Sequence, residues 1–332
     1  MYLMRFAMRT SSDDPAARAD SYRTALEMAE WADTRGCMSA IVSQHHGSDD
    51  GYLPSPIPLA AALAARTTNM RISVSALLLA LYEPVKLAED MAVLDLISRG
   101  RVSYVIGIGY RDEEFAAFGV DRRVRAQLVE DRIQLLRRLW SGDTVEFAGR
   151  TARVTPAPYT RGGPMLAYGG GSPAAARRAG RLGMYFIADA ADPSLEAVYR
   201  ESAAAAGVKP RGCVLQPTDV PLTVFVAEDP DRAWAEIGEY LLMDAVGYQR
   251  WKAKRGATIT TSHARTVDEL RAERGAYQIV TPDEAYALVA RGAALSLQPI
   301  VGGIPAEIAW PYLESAVAAA TGRVRGGGAI DN

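Results

Sequence analysis

Two adjacent histidines, His45 and His46, follow the apolar run Met38–Val42 and are two of the three histidines in the chain. An imidazole can bind a metal, act as a general acid or base, or donate a hydrogen bond to a ligand. A metal site needs further ligands at fitting spacing, and the near carboxylates are those of Asp49 and Asp50, so the sequence argues against a metal. The pattern predicts acid–base or ligand-binding chemistry for His45, and a structural role at a turn fits His46 better.

Spaced glycines follow another apolar run, in the stretch Tyr104–Gly119 (YVIGIGYRDEEFAAFG). Gly107 and Gly109 carry no Cβ, so another backbone or a flat ligand can approach them closely. A tight turn from a strand into the acidic segment Arg111–Glu114 would explain the same residues. The stretch is not a Rossmann fingerprint, because that motif requires G-x-G-x-x-G and Asp112 occupies the third glycine position.

A third group precedes a predicted helix and consists of Gly169, Gly170, Gly171 and Ser172. Backbone N–H groups at a helix start, together with the positive end of the helix dipole, favour an anion. Arg177 and Arg178 lie one turn further along and could add positive charge. The group therefore indicates either a phosphate site or a flexible turn.

These groups must be positioned by a regular scaffold, and eight strand-like runs alternate with helical patterns along the chain. The predicted strands are Leu3–Met8, Met38–Val42, Arg71–Leu79, Val102–Ile108, Pro164–Tyr168, Met184–Ala188, Pro221–Ala227 and Leu295–Ile300. The count favours a (β/α)8 barrel over an open doubly wound sheet. In such a barrel the strand ends face one mouth, which would gather the histidines and the glycine groups.

Some segments fit the alternation less well. The prolines of Gly47–Pro58 predict a loop before the helix Leu59–Arg66. A helix at Asp229–Tyr240 is followed by residues 243–277, whose weak periodicity we interpret as an insertion after the seventh strand. We expect a single domain over residues 1–325 and a flexible tail over residues 326–332.

The composition is that of an ordinary soluble globular protein, with 332 residues, 49% hydrophobic, 23% charged and a net charge of -2. The small net charge does not suggest nucleic-acid binding, and no apolar run has the length of a membrane span. Cys37 and Cys213 stand at predicted strand starts and are expected to be buried thiols in a reducing compartment. With no signal-peptide pattern, the expected location is the cytoplasm.

Several motifs together resemble the bacterial luciferase-like family of flavin-dependent monooxygenases, which also includes reductases and dehydrogenases that use the deazaflavin coenzyme F-420. The resemblance runs from residue 3 to about residue 320. Its motifs are SQHHGSDDGYLPSPI at 43–57, P-V-x-x-A-E-D at 84–90, L-D-x-x-S-x-G-R at 94–101 and G-x-G-x-x-x-x-E-F at 107–115. The family fold is a (β/α)8 barrel with an insertion after strand 7.

The resemblance also implies roles for individual residues. His45 matches a histidine near the flavin ring and is the implied catalytic residue. Ser75 and Ala76 match a bulge under the ring, often formed through a non-prolyl cis peptide bond. The matches to the ring-facing and phosphate-binding positions are Gly107, Gly109, Gly169, Gly170, Gly171, Ser172 and Arg177. Ile108 departs from the family, because luciferases place there an arginine that meets the FMN phosphate.

The implied function is a monooxygenase that uses reduced FMN and O₂ to oxygenate a small organic substrate, with a separate flavin reductase as a partner. The departure at Ile108 leaves open a reductase or dehydrogenase that depends on the deazaflavin coenzyme F-420. A third alternative is a catalytically silent flavin-binding subunit, which the retention of His45 and the glycine loops argues against. The resemblance further implies a homodimer through the second and third helices. From the net charge and the apolar runs, we expect no nucleic-acid or membrane partner.

Overall fold

A computed structural model describes residues 1–217, 220–252 and 262–322. The strands are β1 (Tyr2–Phe6), β2 (Cys37–Val42), β3 (Arg71–Leu78), β4 (Val102–Gly107), β5 (Val145–Phe147), β6 (Arg150–Ala152), β7 (Met165–Gly169), β8 (Tyr185–Ile187), β9 (Cys213–Val214), β10 (Thr223–Val226), β11 (Tyr277–Val280) and β12 (Leu295–Leu297). The helices are α1 (Pro15–Asp33), α2 (Pro56–Arg66), α3 (Pro84–Ser98), α4 (Asp112–Ala117), α5 (Arg125–Leu139), α6 (Pro173–Arg181), α7 (Ser194–Ala205), α8 (Pro230–Lys252), α9 (Val267–Glu273), α10 (Pro282–Ala290) and α11 (Ala306–Thr321). In these described ranges, no helix combines the length and apolar composition needed to cross a membrane.

The chain divides into two compact units. The central unit is Ile41–Thr218, and the terminal unit combines Met1–Ala40 with Asp219–Asn332. Strand β2 contributes residues to both. The fold is α/β. The pairs β1–β12, β3–β4, β4–β7, β7–β8, β8–β9 and β10–β11 are parallel, and the β5–β6 hairpin is antiparallel. This confirms the predicted α/β class, and the (β/α)8 barrel stays a prediction.

In the central unit the strand order is β2-β3-β4-β7-β8-β9. Strand β4 (VSYVIG) alternates between buried and half-buried positions, with Tyr104 and Ile106 fully buried. Helix α5 turns Val129, Ile133 and Leu136 inward at helical spacing. These packed faces hold the strand ends in fixed register, which is what a site at those ends requires.

The L-D-x-x-S-x-G-R motif has a structural function in the central unit. Arg101 donates hydrogen bonds to the backbone carbonyls of Ala64, Thr67 and Met70 at 2.8 to 3.1 Å. The buried Asp95 carboxylate accepts the Thr160 N–H at 2.6 Å. The motif thus secures the segments that connect α2 to β3 and precede β7.

In the terminal unit, β1 pairs with β12, and β10 pairs with β11. A buried ion pair joins Arg9 Nη1 to Asp244 Oδ1 at 2.9 Å, and the Tyr277 hydroxyl donates to Asp244 Oδ2 at 2.7 Å. Gly247 makes room for the guanidinium, since a Cβ there would lie 1.5 Å from Arg9 Nη2.

Several sequence expectations need correction. Residues 243–252, placed in an insertion, continue helix α8 to Lys252, and residues 253–261 lie outside the described residues, as does the predicted tail 326–332. Helix α2 begins at Pro56 rather than Leu59, because a first turn tolerates proline. Cys37 is buried, as expected, but Cys213 is only half-buried.

Candidate active site

The candidate site lies in the central unit, where β2, β3 and β4 end. Strand β2 leads directly into Gln44, His45 and His46, and β4 leads through Gly109 into helix α4. Three acidic residues occupy the first turn of α4, where the positive end of the helix dipole stabilises negative charge. The third of them, Glu114, is buried and faces the histidines.

A buried pair of His45 and Glu114 forms the centre of the site. His45 Nδ1 lies 2.8 Å from Glu114 Oε1, and the same oxygen accepts the His46 N–H at 2.9 Å. Arg111 Nη1 donates to the His46 carbonyl at 2.7 Å and lies 3.4 Å from Glu114 Oε1. The carboxylate therefore fixes both the ring of His45 and the backbone of the next residue.

Glu114 also determines which ring nitrogen of His45 is available for acid–base chemistry. An ionised carboxylate only accepts hydrogen bonds, so His45 must donate through Nδ1–H. Nε2 then faces the Tyr110 hydroxyl at 3.2 Å. His45 as a whole is only 7% exposed, and Tyr52 and Tyr110 pack edge-on against its ring at centroid distances of 4.9 and 5.3 Å. Tyr110 is half-buried and links this nitrogen to the surface.

His46 is held as a neutral acceptor. The Gln44 side chain makes two hydrogen bonds. Its Oε1 accepts the Leu78 N–H at 2.9 Å, and its Nε2 lies 2.7 Å from Nε2 of His46. Because the amide nitrogen can only donate, His46 Nε2 accepts. The ring also packs against Phe118 at 4.6 Å. These contacts tie the end of β2 to β3.

Burial and charge act on the ionisation of both groups. Burial alone would raise the pKa of Glu114, but the hydrogen bonds from His45 and His46, with the charge of Arg111, lower it below its ordinary value. Burial lowers the pKa of His46, and the Glu114 charge only partly opposes this. At neutral pH the site therefore holds an ionised Glu114 and a neutral His46.

Small residues at the ends of β3 and β4 meet beside this pair. The β3–β4 register shifts between Ser75 and Leu77, leaving Ala76 in a bulge, and the Ser75–Ala76 peptide bond is cis. A Cβ on Gly107 would lie 2.9 Å from Ala76 Cβ, so the two strands approach here only because Gly107 has no side chain. Ser75, Ala76 and Gly107 are half-buried and present mainly backbone. Bulges of this kind occur often beside active sites.

Glycine is required at position 109 for a different reason. It adopts φ +71°, and a Cβ would lie 2.9 Å from the Phe115 ring. A left-handed backbone and this close contact both favour glycine. Its absent side chain makes room for Phe115, and so it helps α4 bring Glu114 to His45.

The loop Gly169–Ser172 connects β7 to α6. Gly170 N–H donates to the Ile187 carbonyl at 3.3 Å, and Ser172 caps α6 by accepting the Ala175 N–H at 3.3 Å. Within the described chain, the N–H groups of Gly171, Ser172 and Ala174 have no hydrogen-bond acceptor. Unpaired N–H groups at a helix start suit an anion.

The predicted site residues fall into two groups in the central unit. His45, Ser75, Ala76, Gly107 and Gly109 meet at the ends of β2, β3 and β4. Gly169, Gly170, Gly171 and Ser172 follow the neighbouring strand β7, and Arg177 lies exposed on α6.

Sequence reasoning missed Glu114, Tyr110 and Arg111 as members of the site. The available signal was the glutamate of the G-x-G-x-x-x-x-E-F motif, which is the third of three successive acids. Only the helical geometry of α4 shows that this one is buried, whereas Asp112 and Glu113 are exposed.

The arrangement fits a phosphorylated flavin or deazaflavin. The β3 bulge and Gly107 offer backbone to a flat ring, and the open N–H groups at α6 offer donors to a phosphate. Across the residues that the structure describes, no three His, Cys, Asp or Glu side chains are grouped to hold a metal ion.

Comparisons with known proteins agree with this fit. A family profile described as "Luciferase-like monooxygenase" matches residues 1–299. The F420-dependent glucose-6-phosphate dehydrogenase of Nakamurella multipartita is 28% identical over 301 residues, or 85% of this chain and 84% of that protein. The oxygenase component of the flavin-dependent trigonelline monooxygenase of Acinetobacter baylyi is 27% identical over 42% of this chain and 40% of that protein.

Among solved structures, the monooxygenase RslO1 from Streptomyces bottropensis has a TM-score of 0.74 and 25% identity, covering 97% of this chain and 98% of that one. The chain spans only 39%, 40% and 52% of the length of other curated relatives. The family profile, in contrast, covers nearly the whole sequence. This coverage confirms the resemblance: the chain belongs to the luciferase-like monooxygenase family, whose named relatives are flavin- and F420-dependent oxidoreductases.

Proposed function

We propose that this protein is a flavin-dependent monooxygenase that uses reduced FMN and O₂ to oxygenate a small organic substrate. The observation that carries the proposal is the buried His45–Glu114 pair beside the backbone-lined ends of β3 and β4. When bound, the reduced flavin supplies the reaction with O₂. A separate reductase would provide that flavin, which is in keeping with the word "component" in the name of the Acinetobacter baylyi relative.

The protein's contribution is to bind, to orient and to move a proton. Ser75, Ala76 and Gly107 would lie against the ring, and the N–H groups of Gly171 and Ser172 would hold the phosphate. His45 Nε2 takes or gives a proton through the Tyr110 hydroxyl, which is 3.2 Å away and half-buried. Glu114 keeps Nδ1 protonated, so that Nε2 remains the exchanging atom.

The Tyr110→Phe substitution tests this proton route. It removes the hydroxyl and keeps the ring that packs on His45. We expect FMN affinity to change little and turnover to fall by about 10²- to 10⁴-fold, the range for a positioned general acid or base. Tyr159→Phe, at an exposed tyrosine, is the matched control. Unchanged turnover in Tyr110→Phe would exclude the hydroxyl from the reaction.

A direct assay separates oxygenation from hydride transfer. The protein is titrated with FMN and with coenzyme F-420 by fluorescence quenching, and the reduced FMN complex is then mixed with ¹⁸O₂ and candidate substrates. Incorporation of ¹⁸O into a product supports a monooxygenase. Hydride transfer to or from F-420 under argon, without any FMN binding, would overturn it.

That outcome would establish the second candidate, a dehydrogenase or reductase that depends on coenzyme F-420. A specific observation favours it: Ile108 replaces the arginine of luciferases, and the nearby Arg111 is occupied by His46 and Glu114. The relative that covers 85% of this chain is also F420-dependent. In this candidate the His45–Tyr110 route would serve proton transfer to the reducible or oxidisable substrate.

The third candidate is a catalytically silent flavin-binding subunit. It predicts that His45→Ala and the native protein have the same turnover, whereas the first two candidates predict a loss. The (β/α)8 barrel of the family remains the fold that we propose for the whole chain.

We also propose a homodimer through α2 and α3. Three large apolar side chains on α3, Val93, Leu96 and Ile97, are 44%, 38% and 47% exposed. Adjacent exposed apolar side chains on one helix are typical of a surface covered by a second copy.

A further inference from the structure

A basic cleft of about 520 Å³ lies on the surface of the central unit, between the beginning of α5 and α6. Its charged lining consists of Arg123, Glu130, Arg177, Arg178 and Arg181. Four guanidinium groups thus face one carboxylate. The whole chain carries a net charge of -2, so the positive charge is local.

Ion pairs balance only part of this charge. Glu130 binds both Arg178 and Arg181, at 3.1 and 2.5 Å. Arg123 pairs with Asp121 at 2.9 Å. The guanidinium of Arg177 makes neither a hydrogen bond nor an ion pair with any residue that the structure describes. Two carboxylates, Glu130 in the cleft and Asp121 outside its lining, thus compensate two of the four arginines and leave two positive charges uncompensated.

The cleft begins where the candidate phosphate site ends. Ala174 lines the cleft and lies in the first turn of α6, two residues after Ser172. From there the cleft follows α6 to Arg181, a rise of about 10 Å, which is the length of about three extended residues. A ligand whose phosphate lay at the start of α6 could continue directly along these arginines.

We propose that this cleft binds an anionic extension of the cofactor, that is, a chain of carboxylates or a further phosphate attached beyond the phosphate held at α6. The inference rests on the proposed cofactor site. Two known cofactor types carry such an extension: the deazaflavin has an oligoglutamate chain, and FAD has a second phosphate. Guanidinium groups suit both, because their planar N–H donors match carboxylate and phosphate oxygens.

The test compares two ligand pairs: coenzyme F-420 with a short or a long glutamate chain, which differ only in the number of carboxylates, and FMN with FAD, in which FAD adds a second phosphate together with an adenosine. Dissociation constants are measured by fluorescence quenching for coenzyme F-420 with one and with five glutamates, and for FMN and FAD. We expect the longer ligand of one pair to bind about three- to tenfold more tightly, the gain of one or two exposed ion pairs. Arg177→Gln should abolish this gain, so that the ratio of the two dissociation constants falls to about one whatever its effect on the shorter ligand. Arg161→Gln, at an exposed arginine outside the cleft, should leave the ratio unchanged.

The outcomes separate the two proposals. A gain confined to the deazaflavin pair and abolished by Arg177→Gln assigns the cleft to a carboxylate chain. A gain confined to the flavin pair and abolished by Arg177→Gln assigns it to the AMP portion of FAD. Equal binding of short and long ligands, or a gain that survives Arg177→Gln, refutes the proposed role of the cleft. Neither result contradicts the proposed cofactor site. If no ring ligand binds, the proposed cofactor site fails, and the cleft fails with it as part of that site.

Discussion

The substitution Glu114→Gln removes the charge of the buried carboxylate and keeps its shape. Two short hydrogen bonds reach Oε1, from His45 Nδ1 at 2.8 Å and from the His46 N–H at 2.9 Å. Bonds to a charged acceptor contribute about 1.5–3 kcal/mol each and neutral ones about 0.5–1.5 kcal/mol, so each bond should lose about 1 kcal/mol. We expect the free energy of unfolding to fall by about 2 kcal/mol at neutral pH.

The loss of unfolding free energy in Glu114→Gln should also depend on pH. The pKa of Glu114 is lowered from its ordinary value of 4.5 in the folded protein, so the unfolded chain binds the proton first on acidification. The stability that depends on the ionised group is therefore present above about pH 4.5 and is lost as the pH falls through the lowered pKa. The difference between the native protein and Glu114→Gln should shrink over the same range.

Urea unfolding of the two proteins, from about pH 7 down to about pH 2.5, measures this difference across the range in which the group is protonated. Glu113→Gln is the matched control, because Glu113 is the exposed neighbour on the same helical turn. A loss in Glu114→Gln no larger than in the control would refute the reasoning. A gap that stays constant with pH would show that it does not come from the charge.

Three further substitutions test other parts of the structure. Asp244→Asn leaves the buried Arg9 without its charged partner and should cost about 3–5 kcal/mol in urea unfolding, the range for a broken buried ion pair. Gly302 has φ +63°, and in Gly302→Ala the new Cβ would lie 2.3 Å from a backbone oxygen of α8. The urea midpoint of this variant should fall well below that of Gly292→Ala, which carries only the left-handed strain of about 1–2 kcal/mol. Ile97→Glu adds a charge to the exposed apolar face of α3 and should shift a homodimer to monomer in analytical ultracentrifugation, and an unchanged mass would exclude this face as the interface.

The strands that sequence reasoning located are those with long apolar runs, and the ones it missed have physical reasons. Strand β9 is only two residues long, too short to show alternation. Strand β11 lay at the end of a segment of weak periodicity. Helix α8 continues past Tyr240, but its inward face includes Asp244 and Gly247, which interrupt the apolar pattern. Both residues accommodate the buried side chain of Arg9. Arg9 lies 235 residues away from Asp244 in the sequence, so no local pattern reveals the contact.

In the site, too, residues marked by a local sequence pattern could be predicted, and residues defined by a contact far away in the sequence could not. His45 could be predicted because histidines are rare in this chain, three in all, and two of them follow a predicted strand. Glu114 could not be assigned, since its partner lies 69 residues away and its two acidic neighbours look the same in sequence. The glycine pattern predicted a close approach by another backbone or a flat ligand, and the groups that lie beside Gly107 and Gly109 are Ala76 and Phe115. Glycine there lets elements of the protein approach each other, and the backbone available to a ring follows from that approach.

The position of Arg111 connects the site to the choice of cofactor. If the Arg111 guanidinium turned to a phosphate, the His46 carbonyl would lose its hydrogen bond of 2.7 Å, and the Glu114 carboxylate would lose the neighbouring positive charge. Ile108, at the end of β4, supplies no charge for that task. The open donors and the uncompensated arginines of the central unit lie instead at the start and along the flank of α6. In our proposal, therefore, α6 carries the anion binding and the β2–β4 ends carry the proton chemistry, and ligands that differ only beyond the phosphate should respond to Arg177 and not to Tyr110.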